Sequence, residues 1–257
     1  MLIVIPALTC VIFGSAYPLF FWTNYNKTVN RSFYRFNLGL ATIIGSVGLF
    51  FMWFIDLSIQ TKIGAGIWIA LLMAVTAYFW NKASIKEWIV TIPSLLGGIV
   101  FFQILEQLVV LDWSMRIVSV LSGLIICNAL FAMILGHWYL NVAQLPIIYL
   151  QRVTKVLLIL LVLRLVWDLY AVIATEVTIL GTIVPLFNFL HLIDGVFIYL
   201  AFFFGALFPL IITFMALKSV MMNATQSATG LLYIGVISVA MGDLIYKYYL
   251  LQYGLVL

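Results

Sequence analysis

Seven ionisable side chains stand inside the long apolar stretches of this sequence: Glu106, Arg164, Asp168, His191, Asp194, Asp243 and Lys247. A charge in the middle of a bilayer costs about 2.5–3.5 kcal/mol or more unless it is paired or hydrated, so each of these is a candidate site residue. Arg164 and Asp168 are four residues apart, as are Asp243 and Lys247, and each pair therefore meets on one helix face. His191 and Asp194, three apart, are also expected to share a face. An imidazole held by a carboxylate has its tautomer fixed and its affinity for protons raised, which suits it to give or take a proton. Glu106 has no counter-charge nearby in sequence. It must find one on another helix, take up a proton or face water, and a carboxyl so placed is suited to proton exchange at a cavity. The competing structural role is mutual neutralisation that holds helices together, and Lys247 is close enough to a helix end to extend toward the interface.

The elements that must position these groups follow from composition. Of the 257 residues, 66% are hydrophobic and 8% charged, with a mean hydropathy of +1.25. A globular chain carries roughly a quarter charged residues, so the solvent for this one is lipid. In lipid the backbone must satisfy its own hydrogen bonds, through helices or a closed barrel. Barrel strands alternate apolar and polar residues, whereas Val156 to Leu163 is apolar without a break. The expected fold is all-α: a polytopic transmembrane helical bundle of about eight spans, with residues 1–257 as one transmembrane domain. Apolar runs place the spans near 2–22, 36–56, 64–80, 88–110, 116–139, 153–174, 187–217 and 228–252. The third is short, the seventh long enough to tilt, and the apolar connectors 140–152 and 175–186 are expected along the interface. The first stretch, Met1 to Phe21, lacks a basic leader and reads as a span.

Orientation comes from the basic residues. Odd-numbered loops hold Lys27, Arg31, Arg35, Lys82, Lys86, Arg152, Lys155 and Lys218, while even-numbered loops hold Lys62 and Arg116 beside Asp56, Asp112 and Glu176. The positive-inside rule puts the odd loops in the cytoplasm and both termini outside, and the expected location is a bacterial cytoplasmic (inner) membrane. The net charge of +4 has the same origin, so nucleic acid is not an expected partner. On this topology all seven intramembrane ionisable groups fall between mid-membrane and the outer side. A bis-histidine haem would need both His137 and His191, which the same topology puts roughly 20–30 Å apart. They would serve one haem, or any metal, only if the topology is wrong, although haem with a methionine or a partner's ligand is left open. His137, beside Trp138 and Tyr139, reads as part of an interfacial aromatic belt. Cys10 and Cys127 lie in apolar runs without ligand spacing, as buried thiols. No HExxH, GxSxG or phosphate-binding loop is present, so any reaction uses a cofactor or electrons from elsewhere.

The stretch from Met241 to Gly254 (Met-Gly-Asp-Leu-Ile-Tyr-Lys-Tyr-Tyr-Leu-Leu-Gln-Tyr-Gly) resembles the last span of NrfD/PsrC-type membrane subunits of respiratory complexes. That span often runs as glycine, apolar residues, Arg-Tyr, apolar residues, then tyrosine and glycine, with Lys247 at the arginine position here. The resemblance covers some 14 residues. It implies a quinone pocket toward the outer face, no redox centre in the chain itself, and docking onto an iron–sulfur or cytochrome partner. The expected function is a quinone-interacting membrane subunit of an electron-transfer complex, not catalytic alone. His191, Asp194 and Glu106 would serve as proton acceptors and Asp168 or Asp243 as the proton exit. The alternatives are a proton-coupled small-solute transporter centred on Arg164 and Asp168, and a purely structural membrane subunit.

Overall fold

The computed structural model describes residues 1–24, 31–82, 84–110, 112–142, 145–179 and 182–257. Lys27, counted above among the cytoplasmic basic residues, lies outside them. Eight helices of the described residues are long and apolar enough to cross a membrane. Their outward surfaces are apolar too, with Ile43, Phe50, Leu95, Ile159, Leu169 and Ile237 exposed. Such side chains on an outer surface are at home only in lipid, and the chain is an integral membrane protein. It divides into two compact units, residues 1–108 with 142–149, and residues 109–141 with 150–257.

The first unit contains α1 (Val4–Ala16, continued by a 3-10 turn, Tyr17–Asn24), α2 (Arg31–Met52), α3 (Ile59–Trp80) and α4 (Glu87–Leu108). Helix α1 packs on α2 and α4, and α3 on α2 and α4. The first span is 67% buried, the highest share of the eight. Small residues let its neighbours approach: a Cβ on Gly14 would lie 2.8 Å from Gly45 Cα. Close backbone approach is how helices gain contact where lipid offers no hydrophobic drive. A buried polar clasp fixes the pairing, with the Tyr17 hydroxyl donating to Asn37 Oδ1 and Asn37 Nδ2 donating to the Phe33 carbonyl at 2.7 Å. The third span is not short. It starts five residues before the expected 64, where the Ser58 hydroxyl caps the helix by accepting from Thr61 N–H. Lys62 therefore sits in the first turn, with its ammonium 5.7 Å from the Trp53 ring centre.

The second unit contains α5 (Trp113–Asn141), α6 (Ile148–Ala174) from Leu150 onward, a hairpin of β1 (Glu176–Ile179) and β2 (Thr182–Pro185), then α7 (Leu186–Phe189), α8 (Val196–Phe202), α9 (Phe208–Met221) and α10 (Thr225–Tyr253). The apolar connector after α6 is a hairpin with Glu176 opposite Pro185. Its alternating Glu-Val-Thr-Ile and Thr-Ile-Val-Pro carry the strand period and the β-branched residues that favour it. The hairpin's Val177 joins Leu186, Phe189, Tyr249, Leu255 and Leu257 in one buried cluster. The seventh span is correspondingly broken. After α7 the chain turns, and the spanning stretch runs Ile193–Met221 with a π-helical turn at Phe203–Leu207.

Helix α10 ends at Gly254, whose φ of 61° is the left-handed cap that glycine adopts without strain. Leu255, Val256 and Leu257 then fold back into the unit and are buried. Successive helices give this unit two chemically distinct ends. Asp112, Glu176 and Asp194 mark the acidic one, and His137, Arg152, Lys155 and Lys218 the basic one.

Candidate functional site

Two helix faces build the site. On α6, Arg164 and Asp168 are one turn apart and only 1% and 2% exposed, with Nε 3.0 Å from Oδ1. That N–H is not aligned for a hydrogen bond, so the contact is an ion pair held by charge. The guanidinium is anchored elsewhere: Nη1 donates to Ser122 Oγ on α5 at 2.5 Å, and Nη2 donates to the Leu257 carbonyl. Beside it Trp167 Nε1 donates to the Val256 carbonyl at 3.3 Å. The folded-back tail therefore supplies backbone acceptors to a buried cation, which is what a guanidinium with five donors needs in a dry environment.

On α10, Asp243, Tyr246 and Lys247 occupy positions i, i+3 and i+4 and point to one side. Lys247 Nζ pairs with Asp243 Oδ2. The Tyr246 hydroxyl donates to Asp168 Oδ2 at 2.6 Å, and the Arg164 guanidinium lies 3.6 Å from the Tyr246 ring centre. This one tyrosine binds both members of the α6 pair, the carboxylate through its hydroxyl and the cation through its ring face. Two cations and two side-chain carboxylates are thus buried side by side. Tyr246 is held in place by the π-helical turn: a Cβ on Gly205 would come within 2.3 Å of its ring, and the Phe204 carbonyl accepts from Ser238 Oγ at 2.8 Å. An extra residue in a helical turn rotates the next residues about the helix axis, here bringing a glycine against the tyrosine.

A small cavity lies against this network. Ser122, Arg164, Asp243 and Tyr246 supply its polar lining, with Ile125 and Val239 its apolar side. A second cavity, about 280 Å³, opens at the acidic end of the same unit. It is walled by the carboxylates of Asp112 and Glu176 and by Trp167 and Tyr170, and Val256 of the tail forms part of it. Asp112 also starts α5, its Oδ1 accepting from Met115 N–H at 2.9 Å and from the Ser114 hydroxyl at 2.7 Å. The Met115 N–H, then Ser114, holds this carboxyl below its ordinary value of 3.8. A lowered folded-state value means that the cap's contribution is complete above the unfolded value and is lost as pH falls through the folded one. In Asp112→Asn the cap survives without a charge to titrate. The expected result is a smaller loss of thermal stability below about pH 3.8 than in wild type, with matching curves near neutrality. Melting temperatures of both proteins between neutral and strongly acidic pH test this, and parallel acid limbs would count against it.

The remaining sequence candidates lie elsewhere. His191 falls in the turn after α7 rather than within a span, is exposed, and its Nδ1 faces the Phe187 carbonyl at 2.9 Å. Asp194 lies in a 3-10 turn, so the helical i,i+3 geometry expected for the two is not formed. Asp194 is exposed, and its backbone carbonyl accepts from the Tyr249 hydroxyl. Glu106 is exposed near the end of α4 in the first unit. None of these three lines the cavities just described.

His137 is in the last turns of α5, its Nδ1 3.3 Å from the hydroxyl of Tyr233, in the third turn of α10. It therefore stands at the basic end and His191 at the acidic end of the unit. The two imidazoles do not fit one haem iron. Among the described residues no group of three His, Cys, Asp or Glu is placed to hold a metal ion.

Sequence reasoning missed Tyr246 and Ser122. The i, i+3, i+4 spacing of Asp243, Tyr246 and Lys247 was a usable signal for the first. Nothing local pointed to Ser122 or to the tail carbonyls. No protein-family model matches the chain, and no curated protein or solved structure is found to be similar to it.

Proposed function

We propose that this chain is the membrane subunit of a multi-subunit electron-transfer complex. A quinone or quinol would be handled at the acidic end of the second unit, and protons exchanged through the buried Arg164–Asp168–Tyr246 and Asp243–Lys247 network. The observation that carries this reading is the cavity of about 280 Å³ with two carboxylates and two aromatic rings in its wall, connected to Arg164 through Trp167 and the tail. Aromatic faces suit a planar ring, and carboxylates suit the hydroxyl protons of a quinol. Oxidation of a quinol releases two protons and two electrons. The quinol hydroxyls donate hydrogen bonds to Asp112 and Glu176, their protons leave by way of water and the buried network, and the electrons go to an iron–sulfur or cytochrome subunit. The positive-inside rule puts the acidic end outside, in keeping with the outer quinone site that the resemblance of Met241 to Gly254 implies.

Gentle detergent extraction from the native membrane, with identification of copurifying subunits and an optical spectrum, is the first test. Redox partners are expected to copurify. In that assembly Asp112→Asn with Glu176→Gln is expected to lower quinol-linked turnover by about a hundredfold while leaving assembly intact. Unchanged turnover removes the cavity from the reaction.

A second reading, a proton-coupled small-solute carrier, is favoured by the burial of the four-charge network well inside α6 and α10. A colourless protein purified alone, taking up protons with a solute in vesicles, would establish that reading instead.

A further inference from the structure

The small cavity beside Arg164 is lined by a carboxylate with only one of its oxygens satisfied. Asp243 is 3% exposed, its Oδ2 is taken by Lys247, and its Oδ1 has no hydrogen-bond donor among the described residues. A buried carboxylate oxygen left without a donor carries its full desolvation penalty. The cavity it lines offers about 10 Å³ of room for the centre of a water molecule, at the lower end of the ~10–15 Å³ that one water requires. A bound water also needs two to four polar partners. They are present: Asp243 Oδ1 accepts, and Ser122 Oγ receives Arg164 Nη1 but keeps its own proton to donate. The Tyr246 hydroxyl donates to Asp168, and a phenol oxygen can accept as well as donate. The guanidinium on the wall disfavours a metal cation, and an organic ligand is too large.

We infer that this cavity is a binding site for a single water, which joins the two ion pairs into one network running from Lys247 and Asp243 through the water and Tyr246 to Asp168 and Arg164. The role of that network rests on the proton-handling reading above, whereas occupancy of the site does not. When Asp243 carries a proton, it passes it to the water, the water gives one of its own to the Tyr246 oxygen, and Tyr246 releases its proton to Asp168. One proton has then moved from Asp243 to Asp168, and the water and the tyrosine have recovered their starting hydrogens.

Val239→Ile adds a methyl group at the apolar wall and fills the cavity, and Val239→Leu fills it in a different shape. A high-resolution structure of the wild-type protein in its native assembly is expected to show one ordered water within hydrogen-bond reach of Asp243 Oδ1, absent from whichever variant folds. Proton-coupled turnover should fall by about a hundredfold in that variant. A wild type without the water overturns the site. Turnover unchanged in a variant that has lost the water overturns the relay. A wild type that holds the water but shows neither quinol-linked turnover nor proton movement overturns the proposed function and leaves the water site standing.

Discussion

Replacing Arg164 by methionine is expected to cost about 3–5 kcal/mol of stability, the range seen when one partner of a buried ion pair is removed and the other stays charged. The surroundings make the upper part of that range the expectation here. Asp168 is 2% exposed and would keep one donor, the Tyr246 hydroxyl at 2.6 Å, against a lost counter-charge. Ser122 Oγ and the carbonyl of Leu257 would lose their charged donor in the same step, and the Tyr246 ring its cation. Arg164→Met combined with Asp168→Leu removes both charges and is expected to recover a large part of the loss, since an apolar pair of similar volume needs no desolvation. Thermal unfolding in detergent of wild type, both single variants and the double variant closes the cycle, and only a coupled pair gives a double variant more stable than Arg164→Met alone. Equal melting temperatures for the single and double variants would mean that Asp168 is balanced by something other than Arg164. In either outcome the double variant separates packing from chemistry: it is expected to be folded and without proton-coupled turnover.

The eight spans of this protein were readable in its sequence, because hydropathy reports length and polarity, and those decide whether a helix can span. The i,i+4 pairs Arg164–Asp168 and Asp243–Lys247 were readable for the same local reason: both partners lie on one helix, so helical geometry brings them together. The link between the pairs was not. Tyr246 reaches Asp168 across 78 positions and Arg164 reaches the Leu257 carbonyl across 93, contacts that depend on packing no local pattern records. His191 and Asp194 illustrate the opposite failure. Their surroundings, Phe187 to Phe204, are apolar enough to read as an uninterrupted helix, yet the chain turns between Leu190 and Gly195. Gly195 allows that turn by closeness: a Cβ there would lie 2.0 Å from the Phe189 carbonyl oxygen. Placing the pair outside the helix exposes both side chains, and a spacing that implied a shared face lost its meaning. The earlier start of the third span has a milder cause, since Gln60 and Lys62 lower the hydropathy of a first turn that the helix nonetheless includes.

The contact between Gly205 and Gly242 predicts the second large effect. A Cβ on Gly242 would lie 2.1 Å from Gly205 Cα and 2.4 Å from Gly205 N, both backbone atoms that no rotamer change can move aside. Gly242→Ala must therefore push α10 and the π-helical turn apart. Overpacking a tight core costs about 1–3 kcal/mol and occasionally more, and backbone against backbone belongs at the top of that range. The displacement also stretches the Ser238–Phe204 bond and draws Tyr246 away from Arg164 and Asp168, so turnover should fall with stability.

Gly230→Ala, on the same helix with open space around its Cβ, is the control, expected to be neutral or slightly stabilising because alanine favours helix. Gly205→Ala differs in kind, because the atom it meets at 2.3 Å is the ring edge of Tyr246, a side chain that can be changed. Pairing it with Tyr246→Leu is expected to restore stability toward wild type and to leave turnover lost, since leucine offers Asp168 no hydroxyl and Arg164 no ring. Melting temperatures and turnover measured on the four variants together separate the two jobs of this contact. A Gly242→Ala protein as stable as Gly230→Ala would show that the helices do not meet there. Turnover retained in Gly205→Ala/Tyr246→Leu would take Tyr246 out of the proton network.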